Sequence, residues 1–118
     1  MSNSLLDVCL NFEYVVAKPK RMSGIPIYQI VFSVHAIKRM FERGITKADI
    51  RHVLVNGEII KAYSQDTPYP SQLVLGWSGN RPLHVVVAID AQAQKLYIVT
   101  VYDPDPGYWE PNLKRKKL

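Results

Sequence analysis

Thiol chemistry is almost missing from this chain. Cys9 is its one cysteine, so no internal disulfide can form, and a reducing cytoplasm is the expected compartment. The three histidines, His35, His52 and His84, stand far apart with only Cys9 as a thiol companion. That leaves no zinc-ligand spacing, and neither a metal nor a cofactor is expected. No apolar run is long enough to cross a membrane, and the first residues lack the basic, apolar and small-residue succession of a signal peptide. A glycine-rich phosphate loop, the serine-nucleophile and cysteine-protease motifs and any internal repeat are absent too.

What remains is a chain of 118 residues, 47% hydrophobic, which suits one domain with one core. The formal charge of +5 points toward nucleic acid only until its location is examined. Without Lys114, Arg115, Lys116 and Lys117, eleven bases face ten acids. A local excess survives between Lys38 and Arg51, where Lys38, Arg39, Arg43, Lys47 and Arg51 face only Glu42 and Asp49.

Residues 1–26 read as an N-terminal appendage, with Ser4 and Asp7 able to cap a short helix and a Lys-Pro and Ser-Gly linker behind it. Residues 27–111 read as a single α+β domain, and 112–118 as a basic, disordered tail. Within the domain, Ile27–Phe32 is a short edge strand. Ser33 then caps a helix that ends at Gly44, with Ile45 folding back over its last turn. At about 100° per residue, Val34, Ile37, Met40 and Phe41 form a core stripe, while His35, Arg39 and Arg43 line the other side. Thr46 and Asp49 open a second helix, stopped by Asn56-Gly57, with Ile50, Val53 and Leu54 buried.

Four strands follow, over Glu58–Tyr63, Gln72–Trp77, Leu83–Ile89 and Lys95–Asp103. The short turns between them imply an antiparallel meander. The expected architecture is therefore two N-terminal helices packed on a four-stranded antiparallel sheet, five-stranded if Ile27–Phe32 joins. Gly76 reads as a bulge. Period two in the last strand puts Leu96, Ile98, Thr100 and Tyr102 on one face. His84 reads as a satisfied sheet histidine, His52 as a surface residue, and Trp77 and Trp109 as packing anchors.

The ordered set Ser33-x-His35-Ala36-x-x-Arg39-Met40-x-x-Arg43-Gly44-Ile45-Thr46, then Asn56-Gly57-Glu58, Arg81-Pro82-Leu83-His84-Val85-Val86 and Thr100-Val101-Tyr102-x-Pro104, resembles a bacterial domain family of unknown function, DUF4258. The resemblance covers about Ile27 to Pro111. That family in turn is similar in fold to RelE-like and BrnT-like toxins, so the resemblance implies a toxin-like, metal-independent ribonuclease with an antitoxin-like protein partner. In such a reaction a ribose 2′-OH attacks the adjacent phosphate, which needs a base, an acid and a cation. His35 would serve as base or acid. Arg39 and Arg43 would grip the phosphate, Tyr102 would orient the nucleotide, and Thr100 would add a hydrogen bond. The alternatives stay open. His35 can simply cap or pack at the helix start, the arginines can pair with Glu42, Asp103 or Asp105, and the same surface can serve a non-catalytic module that binds RNA or protein.

Overall fold

The structure, a computed structural model, describes residues 28–117. The N-terminal appendage at 1–26, with its Ser4–Asp7 cap, lies outside the described residues. Within them the chain runs β1 (Gln29–Phe32), α1 (Val34–Arg43), α2 (Lys47–Asn56), β2 (Glu58–Tyr63), β3 (Ser71–Ser78), β4 (Arg81–Asp90) and β5 (Lys95–Tyr102). The two helix starts follow from their caps. The Ser33 hydroxyl accepts from the Ala36 N–H at 2.9 Å, and Thr46 and Asp49 close a reciprocal capping box. Gly44 ends α1 at φ 66°, a left-handed conformation that lets the Ile45 N–H reach the Met40 carbonyl at 2.8 Å. Ile45 is thereby folded into the core.

The sheet has five strands in the order β1-β5-β4-β3-β2. From β2 to β5 it is the antiparallel meander that short turns require. The sheet as a whole is mixed, because β1 pairs in parallel with β5. Two expectations are corrected here. The sheet is not purely antiparallel, and the helices follow β1 instead of preceding all the strands. The turn argument constrains consecutive strands only; β1 reaches β5 through nearly the whole domain, a connection long enough for either direction.

β5 carries a further correction. Val85 pairs with Val101 and Val86 with Thr100, but Val87 pairs with Ile98, so Val99 is one residue too many. This bulge moves every later side chain to the other face. Leu96, Ile98 and Val101 therefore all lie in the helix-side core, while Thr100 and Tyr102 turn away from it. Gly76 marks no bulge; it pairs regularly with Leu83. A Cβ there would meet Val53 Cγ1 at 2.8 Å and Val53 Cα at 2.9 Å, so the glycine lets α2 settle directly onto β3.

Helix α1 is rolled relative to its expected position. Of the expected stripe only Met40 is buried; Val34 and Phe41 are 85% and 88% exposed, and Ile37 is half exposed. Ser33 explains the roll. Its N–H donates to the Ile98 carbonyl at 3.2 Å and its hydroxyl to the Val99 carbonyl at 3.2 Å, fastening the helix start to the bulged strand. With that end fixed, small Ala36 faces the sheet, with Met40 one turn on, and both are buried. The three large apolar residues are left on the outer side.

The last described residues double back. Trp109 bridges to Lys116, the Glu110 N–H donates to the Arg115 carbonyl at 2.8 Å, and the Lys117 N–H to the Tyr108 carbonyl at 2.8 Å. The stretch read as a disordered tail is thus described through Lys117 as one arm of a hairpin, laid on the sheet face that the helices leave open. Trp109 is packed there, as an anchor should be.

Candidate nucleic-acid interface

Three of the five candidate residues share one border of α1. His35, Arg39 and Arg43 are one turn apart, about 6 Å of axial rise per step. The roll of the helix brings this border beside the sheet-facing side, with Arg43 nearest the sheet. His35 is exposed, and the two guanidiniums are about two-fifths exposed. Arg39 Nη1 meets Glu42 at 3.5 Å, and Arg43 Nη1 meets Asp103 at 3.7 Å. Both are long, wet pairs worth at most about 1 kcal/mol each, and an incoming phosphate could displace them.

At the C-terminal end of α1 a tighter cluster holds the helix to the sheet. Arg81 donates from Nε to Asp103 Oδ1 at 2.7 Å and from Nη2 to Oδ2 at 3.0 Å, a bidentate fork. The same guanidinium donates to the carbonyls of Arg43 at 2.7 Å and Gly44 at 3.3 Å. It therefore satisfies α1's orphan carbonyls while placing a cation at the negative end of the helix dipole. Hydrogen bonding from Arg81 holds the Asp103 carboxyl below its ordinary value, and the carboxylate in return raises Arg81. Asp49 is lowered likewise, first by the Ser78 hydroxyl, which donates to it at 2.6 Å, and then by the Thr46 N–H.

Tyr102 and Thr100 belong elsewhere. The Val99 bulge turns them onto the face away from the helices, where Tyr102 joins His84. His84 is fully buried, with Nε2 at 2.9 Å from the Leu113 carbonyl and Nδ1 at 3.2 Å from the Tyr102 hydroxyl. A carbonyl can only accept, so the neutral ring carries its proton on Nε2, and Nδ1 accepts from the Tyr102 O–H. The rings of Tyr102 and Trp109 meet the imidazole edge-on, at centroid distances of 5.2 and 4.5 Å. Burial pushes the His84 imidazole below its ordinary value and the Tyr102 phenol above its own.

The five candidates therefore divide into an α1 border with His35, Arg39 and Arg43, and a sheet-face pair, Tyr102 and Thr100, on the other side of β5. His84 is the satisfied sheet histidine that its apolar strand suggested. His52 is exposed on α2, with its Nδ1 3.3 Å from the Asn56 amide nitrogen. Trp77, read as an anchor, is about half exposed. Sequence reasoning missed Arg81 as the residue joining helix to sheet. Its signal was present, an arginine ahead of an apolar strand with an Asp-Pro ending the next one, but nothing in the spacing tied the two together.

Two helices stacked on one face of an open, mixed five-stranded sheet define a small α+β domain. The family model for a domain of unknown function, DUF4258, matches residues 32–103, more than half of the chain, and the protein belongs to that family. The match runs from the end of β1 to Asp103, so it takes in the α1 border and the Arg81–Asp103 cluster and stops short of the hairpin. No curated protein and no solved structure matches the chain. Among the described residues no helix is long and apolar enough to cross a membrane.

Proposed function

We propose that this domain binds RNA through the phosphate backbone, using the α1 border formed by His35, Arg39 and Arg43. One observation carries the reading. The three nitrogen-bearing side chains align along an exposed helix border, while Tyr102, expected to orient a nucleotide beside them, has its hydroxyl engaged with His84 on the opposite face. That supports a surface that grips phosphates ahead of one that transfers protons. Guanidiniums suit the first task, since their planar forks match phosphate oxygens and stay charged at any physiological pH. Lys38 and Lys47, both exposed, add to the same field.

The test is RNA affinity by gel shift at fixed salt, with the RNA recovered on a denaturing gel. Arg39→Ala and Arg43→Ala should each weaken binding about five- to tenfold, close to 1–1.4 kcal/mol. The RNA should be recovered uncut, and thermal melting should confirm the fold. Wild-type affinity in both variants would overturn the reading.

A metal-independent ribonuclease of a toxin–antitoxin type is the second reading, and the exposed imidazole of His35 favours it. There the 2′-oxygen would attack phosphorus as His35 takes its proton, and the P–O5′ bond would break as the leaving oxygen is protonated, giving a cyclic phosphate and a free 5′-OH. A RelE-like fold and an antitoxin-like partner would go with that reading. Cleavage that disappears in His35→Ala would establish it; intact RNA would leave the binding module.

A further inference from the structure

On the sheet face opposite α1 lies a hollow of about 430 Å³ between β2 and the C-terminal hairpin. That volume falls within the range of small-ligand sites. Its walls come from two distant parts of the sequence. Lys61, Tyr63 and Leu73 rise from β2 and β3, which pair Lys61 with Leu73 and Tyr63 with Ser71. Trp109 and the cations Lys114, Arg115 and Lys116 descend from the hairpin. Four cations thus converge on one concavity with an aromatic and aliphatic floor.

Acid neutralisation is incomplete. Glu58 takes Lys114 at 2.9 Å, and Glu110 stands 3.9 Å from Arg115. Lys61 has no acidic partner among the described residues, and Lys116 rests its ammonium 6.0 Å above the Trp109 ring. Among the described residues, two positive charges therefore remain at the mouth. Tyr63 is about one-third exposed, so its ring has a side available for stacking.

The hollow exists because the hairpin is held down. Leu113 sits at φ 63°, a conformation that costs a non-glycine residue about 1 kcal/mol or more. The buried His84 holds the Leu113 carbonyl at 2.9 Å, and the Trp109 ring packs against the same imidazole. The basic run is thereby presented as a wall with fixed positions, where a solvated tail would dilute it.

We infer that this hollow binds a nucleotide unit, its phosphate between Lys61 and Lys116 and its base against Tyr63. An anion alone would need only the cations, and an apolar group only the floor; a nucleotide carries both a flat ring and a phosphate. The inference does not rest on the α1 surface, which lies across the sheet.

The experiment uses the full chain with Trp77→Phe, so that Trp109 is the only tryptophan reporting, and titrates it with adenosine 5′-monophosphate. Saturable quenching is expected, weakened at least fivefold by Lys61→Ala and by Lys116→Ala and unchanged by Arg39→Ala. Adenosine and inorganic phosphate should each bind at least tenfold more weakly than the nucleotide. The inference is overturned by no saturable response, by wild-type affinity in both lysine variants, or by inorganic phosphate binding as tightly as the nucleotide. Loss of quenching in Arg39→Ala would also overturn it, since that would place the ligand on α1. Because both lysines are exposed, their removal leaves the fold intact, and melting curves check this.

Discussion

His84 shows most clearly how one residue can organise a face. A fully buried imidazole between a phenol and a carbonyl is stable only while neutral, since protonation would place a charge where water cannot reach it. Its value is pushed below the ordinary 6.5 by burial. The unfolded chain then takes up the proton first, so stability from this residue is complete above about pH 6.5 and is lost as pH falls through the folded value. Melting temperatures measured between pH 7.5 and 5 should fall for the wild type. For His84→Gln, which cannot titrate, they should start lower and change less; parallel profiles would contradict the assignment. Arg81 offers a second test. Its bidentate bond to Asp103 is part-exposed, so Arg81→Ala should cost about 1 kcal/mol, read as a shift in denaturant midpoint. Neither partnership could be read from residue order. His84 looked like a sheet histidine because its neighbours are apolar, but the Leu113 carbonyl that satisfies it lies 29 positions on.

At the level of elements, two glycines act for different reasons and predict different outcomes. Gly44 has open space around its Cβ position and a φ of 66°, so Gly44→Ala should cost about 1 kcal/mol through the backbone alone. Gly76 has an ordinary φ but Val53 directly overhead, so Gly76→Ala should cost about 1–3 kcal/mol through overpacking. Combining it with Val53→Ala should cost less than the two separate losses together, a non-additivity measurable in a double-mutant cycle; strict additivity would contradict the contact. The helices were legible because their caps are local: Ser33, Gly44 and the Thr46–Asp49 box act within a few residues of where they stand. The roll of α1 was not, because it is set by Ser33 bonding to carbonyls more than sixty residues away. Nor was the bulge at Val99. A β-branched residue in a β-branched run gives no sign that it is supernumerary, yet it alone decides that Tyr102 faces away from Arg43.

For the whole molecule, these local facts separate two surfaces. One is the α1 border with its arginines, and the other is the sheet face walled by the hairpin. The antiparallel meander could be read from turn lengths, while the parallel β1–β5 pair depends on contacts between the two ends of the described domain. Of the basic run that carries most of the net charge, Lys114, Arg115 and Lys116 prove to be part of a folded wall. In the proposed function the α1 border meets RNA phosphates, and salt dependence counts such contacts without needing their geometry. The decisive measurement is the slope of log affinity against log salt concentration for a single-stranded RNA, wild type beside Arg39→Ala and Arg43→Ala. Each substitution should reduce the slope by about 0.7, the value for one lost phosphate contact on a single strand. Slopes identical in all three proteins would contradict an α1 phosphate grip.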